Sequence, residues 1–251
     1  MGQFASTVEY YARCREQYPP RFFESIAERL SLTGSEALLD IGCGPGLLAI
    51  GFSPFVGRCT GLDPESAMIK EAKEAAEEAG VSLELHLGRI EDYPGEQLFN
   101  VATIGRALHW LHREPTLAVL KRVISPLGHV LICSATSVES SVNSWLGPYQ
   151  EVCDSWSNGP DRQWYRIDPR EWFAASDFDV VDQLSVSNTQ RVTVCDLIGR
   201  ALSWSTTSPD ILGARRADFE RDLFTALLPF SQEGYLREEI SAHATILGRR
   251  T

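Results

Sequence analysis

The stretch LLDIGCGPG, residues 38–46, decides the fold of this 251-residue chain. An apolar run ends at Asp40, and glycines follow at Gly42, Gly44 and Gly46. This order is typical of a buried strand that leaves a sheet, turns tightly and begins a helix. Glycine suits the turn because it adopts backbone conformations closed to other residues and has no side chain to hold a ligand away. The stretch therefore predicts a nucleoside-binding loop.

Outward from the loop, helices and strands are predicted to alternate between residues 20 and 134. Helix patterns occupy about 21–30 and 115–124, and a turn is expected at 126–128. The predicted strands are 37–41, 58–63, 82–87, 99–104, 129–134, 178–187 and 241–250. Strands that alternate with helices form a parallel sheet with right-handed crossovers. The predicted fold class is therefore α/β, a doubly wound, mostly parallel, seven-stranded sheet.

A further helix is predicted directly after the second strand. Asp63 is expected to cap it and Pro64 to occupy its first turn, ahead of the strong helix formers in ESAMIKEAKEAAEEA (65–79). Gly80 is expected to end it. The predicted inward face consists of Met68, Ala72, Ala75 and Ala79.

The alternation stops after residue 135. Residues 138–176 are rich in tryptophan, serine, asparagine and proline, and helical patterns follow at about 193–206 and 209–228. We expect a single domain over 1–251. Its predicted parts are a cofactor-binding core at 20–135, a helical and aromatic cap on the substrate side at 136–240, and a last strand at 241–250.

Composition excludes several classes of partner. The formal net charge of −11 argues against a broad phosphate-binding surface, so nucleic acid is not expected. No apolar run approaches the roughly 20 residues that cross a bilayer, so no membrane partner is expected. The six cysteines form no CxxC pair, which, without a secretion signal, indicates reduced thiols in a cytoplasmic protein. His109 and His112 lack further ligands at suitable spacing, so no metal is expected.

The residues around the loop favour one class of ligand. In open α/β sheets, ligands bind beyond the carboxyl ends of the strands. Asp63 lies there, 23 residues after Asp40, where an acid accepts hydrogen bonds from both ribose hydroxyls. The dinucleotide fingerprint GxGxxG is absent, because Leu47 replaces its third glycine, and Asp40 would repel a pyrophosphate. A ligand with an ammonium group is favoured, and a nicotinamide-dependent oxidoreductase stays an alternative.

At this point the chain resembles the class I S-adenosylmethionine-dependent methyltransferases. The resemblance covers residues 4–135 closely and the last strand loosely. It is carried, in order, by LLDIGCGPG (38–46), GLDPESAMI (61–69), LHLGRIEDYP (85–94), FNVATIGRALHW (99–110) and RVISPLGHVLI (122–132). Two further pieces, YARCREQYP (11–19) and ALHW (107–110), resemble the type-11 and trans-aconitate-methyltransferase-like group.

The resemblance implies S-adenosylmethionine as cofactor, S-adenosylhomocysteine as product, and a role for each matching residue. The loop backbone would cradle methionine and ribose, and Asp40 would face the cofactor's amino group directly or through water. Asp63 would bind the ribose hydroxyls, while Tyr11 and Arg15 would close over the cofactor, Arg15 pairing with its carboxylate. The implied cofactor residues are Tyr11, Arg15, Asp40, Gly42, Cys43, Gly44, Gly46, Asp63, Pro64, Met68, Ile90, Glu91, Gly105 and Arg106.

Two positions depart from the family pattern. Arg89 stands where the family has an acid that accepts a hydrogen bond from the adenine amino group, and arginine cannot accept one. Glu91 and Asp92 lie just beyond it. Glu16 stands where the group commonly has proline. The adenine contact therefore has to come from elsewhere or be missing.

The predicted function is methyl transfer to a small-molecule acceptor by in-line displacement, in a monomer or homodimer. His109 would orient or deprotonate the acceptor, although a histidine that only packs or hydrogen-bonds explains it as well. The candidate acceptor residues are His109, Trp110, Trp145, Trp164 and Trp204. Alternatives are a cofactor-binding protein with no activity or with non-methylating chemistry, and a methyltransferase acting on protein or nucleic acid.

Overall fold

The computed structural model describes residues 7–157 and 167–250. Within these ranges lie ten α-helices and seven β-strands. The helices are α1 (Val8–Cys14), α2 (Pro20–Arg29), α3 (Leu47–Phe52), α4 (Ser66–Ala79), α5 (Arg113–Val123), α6 (Leu146–Trp156), α7 (Pro169–Trp172), α8 (Val194–Leu202), α9 (Pro209–Leu212) and α10 (Arg216–Leu227). The strands are β1 (Ala37–Ile41), β2 (Arg58–Asp63), β3 (Leu83–Leu87), β4 (Phe99–Gly105), β5 (Ile124–Ser137), β6 (Phe178–Thr193) and β7 (Tyr235–Arg249).

The strands form one sheet in the order β3-β2-β1-β4-β5-β7-β6. β3, β2, β1, β4 and β5 are parallel to their neighbours. β1 lies between β2 and β4, and the polypeptide crosses from one side of β1 to the other between β3 and β4. The doubly wound seven-stranded α/β fold predicted from the sequence is confirmed, and so is the helical insertion after β5.

The described residues fall into two compact units. The glycine-loop unit comprises 18–134, 167–186 and 242–250, and the helical unit comprises 7–17, 135–157 and 187–241. The core of the first is built on β1, β4 and β5, with Leu39 and Ile104 fully buried. The core of the second is rich in aromatic side chains, among them Trp145 and Phe219. The single domain expected over the whole chain stays a prediction.

Several element boundaries differ from the prediction. The predicted turn at 126–128 lies inside β5 as an irregularity, since Phe99 of β4 pairs with Ile124 whereas Val101 pairs with His129. β6 and β7 are longer than the predicted 178–187 and 241–250. The helical pattern at 209–228 divides into α9 and α10, which are joined by a short 3-10 helix.

α4 also differs from its predicted form at its start and on its buried face. It begins at Ser66 with Glu65 as N-cap, so Asp63 does not cap it and Pro64 lies outside it. Ala76 is buried where Ala75 and Ala79 were expected, because the face that begins at Met68 continues through Ala72 at i+4 and i+8. Gly80 ends the helix in the left-handed conformation, as predicted.

Candidate functional site

The glycine loop between β1 and α3 has the backbone that the sequence predicts. Gly42, Gly44 and Gly46 have φ angles of +64°, +53° and +83°, a region that favours glycine. A methyl group at Gly42 would lie 2.7 Å from Cβ of Ala107. Both the backbone conformation and the close approach of Ala107 therefore require glycine at position 42, at the carboxyl end of β1.

Asp63, at the end of β2, is joined directly to this loop. Its Oδ2 accepts a hydrogen bond of 2.9 Å from the backbone N–H of Gly44, and its Oδ1 accepts one of 2.9 Å from the N–H of Glu65. Burial raises the pKa of the Asp63 carboxyl, while these two bonds lower it. Each carboxylate oxygen keeps a second lone pair, so the group is able to accept two hydroxyl donors as well.

Asp40 lies deeper than Asp63 and is only 1% exposed. Its Oδ1 accepts a 2.7 Å bond from the Thr103 hydroxyl, and its Oδ2 accepts a 3.2 Å bond from the N–H of Ala49. Burial raises the pKa of the Asp40 carboxyl to about 7, and both hydrogen bonds oppose that rise. Thr103 was missed by the sequence reasoning, whose only available signal was a polar residue in a buried strand.

The thiols near the loop are neutral packing groups. Cys43 is buried, and burial raises the pKa of its thiol well above the ordinary value. A methyl group at Gly61 would lie 3.0 Å from the Cys43 sulfur, so the loop packs tightly on β2. The buried Cys43 side chain therefore fills the space between the glycine loop and β2.

The end of β4 contributes Gly105 and Arg106 to the same region. A methyl group at Gly105 would lie 2.6 Å from Cδ1 of Leu48, in the helix that follows the loop. Arg106 has a φ of +55°, an uncommon conformation for a residue with a side chain. Its N–H donates to the Cys133 carbonyl at 3.1 Å, and its guanidinium lies 5.2 Å from the Tyr18 ring centre. Strained residues of this kind cluster at functional sites.

His109 and Trp110 follow in a 3-10 helix, Leu108–Trp110. Their ring centres are 4.8 Å apart, and Trp110 is 39% exposed. Across the part of the chain that the structure describes, no three His, Cys, Asp or Glu side chains are grouped to hold a metal ion. The pair therefore presents an imidazole and an indole a few residues beyond β4.

The segment after β3 carries Arg89, at the family's adenine-binding position, and the implied cofactor residues Ile90 and Glu91. Ile90 is 2% exposed and belongs to the core, whereas Arg89 is exposed. Glu91 Oε1 accepts a 2.8 Å hydrogen bond from the backbone N–H of His112, the residue that precedes α5. On the neighbouring helix, Met68 is 4% exposed. Glu91, one of the implied cofactor residues, thus has a structural contact with the start of α5.

Tyr11 and Arg15 belong to the helical unit. The Arg15 guanidinium lies 4.7 Å from the Tyr11 ring centre and donates to the Ser203 carbonyl at 3.2 Å. Trp145 is a core residue of this unit, 1% exposed, with its indole N–H bonded to the Arg237 carbonyl at 2.9 Å. Trp164 lies outside the described residues.

The helical unit also holds a buried ion cluster that the sequence reasoning missed. Arg200 pairs with Glu238 at 2.5 Å and with Glu16 at 3.5 Å, and its Nε donates to the Cys14 carbonyl at 2.9 Å. The three charged side chains are nearly inaccessible to solvent. Glu16, the departure from the family's proline, is therefore one partner of an internal arginine. No local pattern signals such a cluster, because its members come from distant segments.

Comparison of the sequence with known proteins finds similarity to methyltransferases. Residues 38–128 match a family model described as "Methyltransferase domain". An uncharacterized methyltransferase of Schizosaccharomyces pombe is 35% identical over 98 residues, 39% of this chain and 37% of that protein. A ubiquinone biosynthesis O-methyltransferase of Methylocella silvestris is 28% identical over 188 residues, 68% of this chain and 65% of that protein. The chain thus covers less than two thirds of the length of either relative.

A solved methyltransferase structure has a fold similar to that of this chain. It is a crystal structure of a SAM-dependent methyltransferase from Thiobacillus denitrificans in complex with S-adenosyl-L-homocysteine, at 16% identity and a TM-score of 0.55. The match covers 100% of this chain and 99% of that one. Residues 38–128 are therefore similar to a methyltransferase domain, and the sheet order and glycine loop agree with the fold of the solved methyltransferase.

Proposed function

We propose that this protein is an S-adenosylmethionine-dependent methyltransferase whose acceptor is a small molecule. The observation that carries the proposal is the bond from the Gly44 N–H to the Asp63 carboxylate, beside three glycines in left-handed conformations. This arrangement puts a carboxylate and the glycine loop at the carboxyl ends of neighbouring parallel strands. A ribose and an amino acid chain fit such a surface, since both need close backbone approach and hydrogen-bond acceptors.

The proposed cofactor site takes in the glycine loop and the strand ends around it. Asp63 would accept the ribose hydroxyls, and Asp40 would favour the cofactor's amino group. Tyr11 and Arg15 stay in the proposal on the strength of the family resemblance. The proposed residues are Tyr11, Arg15, Asp40, Gly42, Cys43, Gly44, Gly46, Asp63, Pro64, Met68, Ile90, Glu91, Gly105 and Arg106.

When bound, S-adenosylmethionine would supply an activated methyl group: the acceptor would bond to the methyl carbon as the carbon–sulfur bond breaks in line, and the sulfur would keep the electron pair in S-adenosylhomocysteine. The protein's main tasks are then to align the acceptor and to exclude water. His109 would orient the acceptor or take its proton, because imidazole titrates near neutrality. The indole of Trp110, 39% exposed beside His109, offers an apolar face to the acceptor.

The acidic composition supports a small acceptor over nucleic acid. With a formal net charge of −11, the protein would repel a polyphosphate backbone. Among the described residues, no helix combines the length and apolarity that a bilayer crossing needs. The acceptor's identity, a cytoplasmic location, a monomeric or homodimeric state and membership of the type-11 group stay predictions.

Calorimetry tests the cofactor half of the proposal. We expect the purified protein to bind S-adenosylhomocysteine and not NAD; binding of NAD alone would overturn the proposal. In Asp63→Asn the affinity for S-adenosylhomocysteine should fall about 10- to 100-fold, as expected when hydrogen bonds to a charged group are lost. Glu84→Gln, an exposed acid on β3, is the matched control and should bind like the wild type.

An acceptor screen tests the transfer half. Formation of S-adenosylhomocysteine from S-adenosylmethionine would be followed with panels of phenols, carboxylic acids and amines. Turnover with one panel supports a methyltransferase and names the acceptor class. Tight cofactor binding without turnover in any panel would favour the alternative of a binding protein or of non-methylating chemistry.

A further inference from the structure

Asp40 and Thr103 meet inside the sheet, where solvent does not reach them. They are direct partners in the parallel pairing of β1 and β4, so their side chains project from the same face at the same level. Thr103 is 0% exposed and Asp40 1%. The Thr103 hydroxyl donates to Asp40 Oδ1 at 2.7 Å, a short bond typical of a hydroxyl and a carboxylate. Thr103 therefore fixes the orientation of the carboxylate.

The second oxygen of Asp40 reaches across the glycine loop. Oδ2 accepts from the N–H of Ala49, the third residue of α3, at 3.2 Å. Asp40 precedes the loop and Ala49 follows it, so this bond joins the two ends of the loop. The first four N–H groups of a helix have no acceptor within the helix. In α3 the N–H of Ala49 is one of these, and the Asp40 carboxylate is its acceptor.

We propose that Thr103 and Asp40 form a buried positioning pair, in which Thr103 orients the Asp40 carboxylate and the carboxylate holds the glycine loop in its cofactor-binding shape. Asp40 then acts on the cofactor's amino group from beneath the loop, by its charge, and Thr103 acts through Asp40. This inference rests on the proposed function, because it takes the loop to be the S-adenosylmethionine site.

The surroundings of Asp40 make its charge sensitive to a ligand. The groups that face it are the Asp63 carboxylate and the thiols of Cys43, Cys59 and Cys133. Burial raises the pKa of Asp40 to about 7, and Asp63 adds to the rise. Arg106, at the end of β4, lowers the pKa of the Cys133 thiol. A cationic ligand group above the loop would favour the ionised carboxylate and lower its pKa.

The ionisation of Asp40 determines how the affinity for the ligand changes with pH. Because the ammonium group of the ligand binds best to ionised Asp40, affinity should fall as the pH drops below about 7. Loss of the Thr103 hydroxyl removes a bond that favours the ionised form, so the pKa of Asp40 should rise. In Thr103→Val the loss of affinity should therefore begin at a higher pH.

The test is calorimetric titration with S-adenosylhomocysteine between pH 5.5 and 8.5. We expect Thr103→Val to move the midpoint of the affinity profile upward by about one pH unit, and Thr103→Ser to restore it. The matched control is Thr60→Val, a buried threonine on β2 whose hydroxyl points to Glu84 at 3.4 Å. Its midpoint should stay at the wild-type value.

Two outcomes of the Thr103→Val titration overturn the inference. An equal loss of affinity at every pH in Thr103→Val indicates a structural role alone, and an unchanged profile indicates no role. A wild-type protein that binds no S-adenosylhomocysteine at any pH overturns the proposed function instead, and the inference with it. If Thr103→Val does not fold, proton release on binding decides: near pH 7 the wild type should release a proton that Asp40→Asn does not, and equal release by both contradicts the inference.

Discussion

Gly42 is a residue at which both backbone and space require glycine. Its φ is +64°, and a methyl group there would lie 2.7 Å from Cβ of Ala107. Gly42→Ala should therefore combine a strained backbone with an overlap that backbone shifts have to relieve. We expect it to lower the free energy of unfolding by about 3 kcal/mol and to weaken S-adenosylhomocysteine binding. Urea denaturation and calorimetry measure the two effects.

Gly34 provides the control for that substitution. Its φ is +86°, but nothing lies within 4 Å of an added methyl group. Gly34→Ala should carry the backbone cost alone, about 1 kcal/mol, and leave ligand binding unchanged. Equal losses of stability in the two variants would show that the contact with Ala107 is unimportant.

Whether a site residue can be predicted from the sequence depends on whether its contacts are local or distant along the chain. The conformations of Gly42, Gly44 and Gly46 follow from their spacing, because a turn is a local structure. Thr103 does not follow, since it meets Asp40 only through the pairing of β1 with β4, across 63 positions of chain. Residue spacing thus predicts the shape of the loop but not the side chain that orients its acid.

At the scale of elements, α3 is held against α2 through a glycine. A methyl group at Gly51 would lie 2.1 Å from Cζ of Phe23, whose ring also packs edge-on against Phe52 at 5.0 Å. Replacing glycine by alanine in a helix ordinarily adds about 1 kcal/mol of stability. Gly51→Ala should instead remove about 1 to 3 kcal/mol, because the ring has to move out of a packed core. Thermal unfolding measures the change.

Gly147 in α6 is the control for Gly51→Ala, because nothing lies within 4 Å of a methyl group added there. Gly147→Ala should be neutral or add up to about 1 kcal/mol of stability. A gain of stability in Gly51→Ala would mean that Phe23 yields without cost and that the α2–α3 contact is loose.

Elements were predicted well where local signals agree and less well where distant contacts decide. β1 has the predicted bounds, since an apolar run and a glycine turn define its ends. α4 begins three residues after Asp63, with Glu65 as its N-cap, and the Asp63 carboxylate accepts instead from the N–H groups of Gly44 and Glu65, outside the helix. The predicted turn at 126–128 became an irregularity within β5, where pairing with β4 extends the strand.

At the scale of the whole molecule, the fold class and the helical insertion after β5 were predictable, whereas the assembly of the helical unit from distant segments was not. Alternating strands and helices specify the parallel part of the sheet. The helical unit instead joins three separate stretches of chain, and its buried Arg200 binds Glu238 and the carbonyl of Cys14, 186 positions away. No periodic pattern signals contacts between segments so far apart.

Charge at buried positions makes the stability of the whole molecule depend on pH. The pKa of Asp40 rises from 3.8 to about 7 on folding, so its stabilising contribution is complete below 3.8 and is lost as the pH rises through 7. The full effect is on the order of 4 kcal/mol. Glu238, whose pKa Arg200 lowers, works in a different window, since its contribution is lost only as the pH falls below 4.5. Relative to Asp40→Asn, the ligand-free wild type should therefore lose stability as the pH rises from about 4 to about 7 in urea denaturation. Saturating S-adenosylhomocysteine should reduce that slope, because a bound ammonium lowers the pKa of Asp40. A stability difference that stays constant across this range would contradict a buried, titrating Asp40.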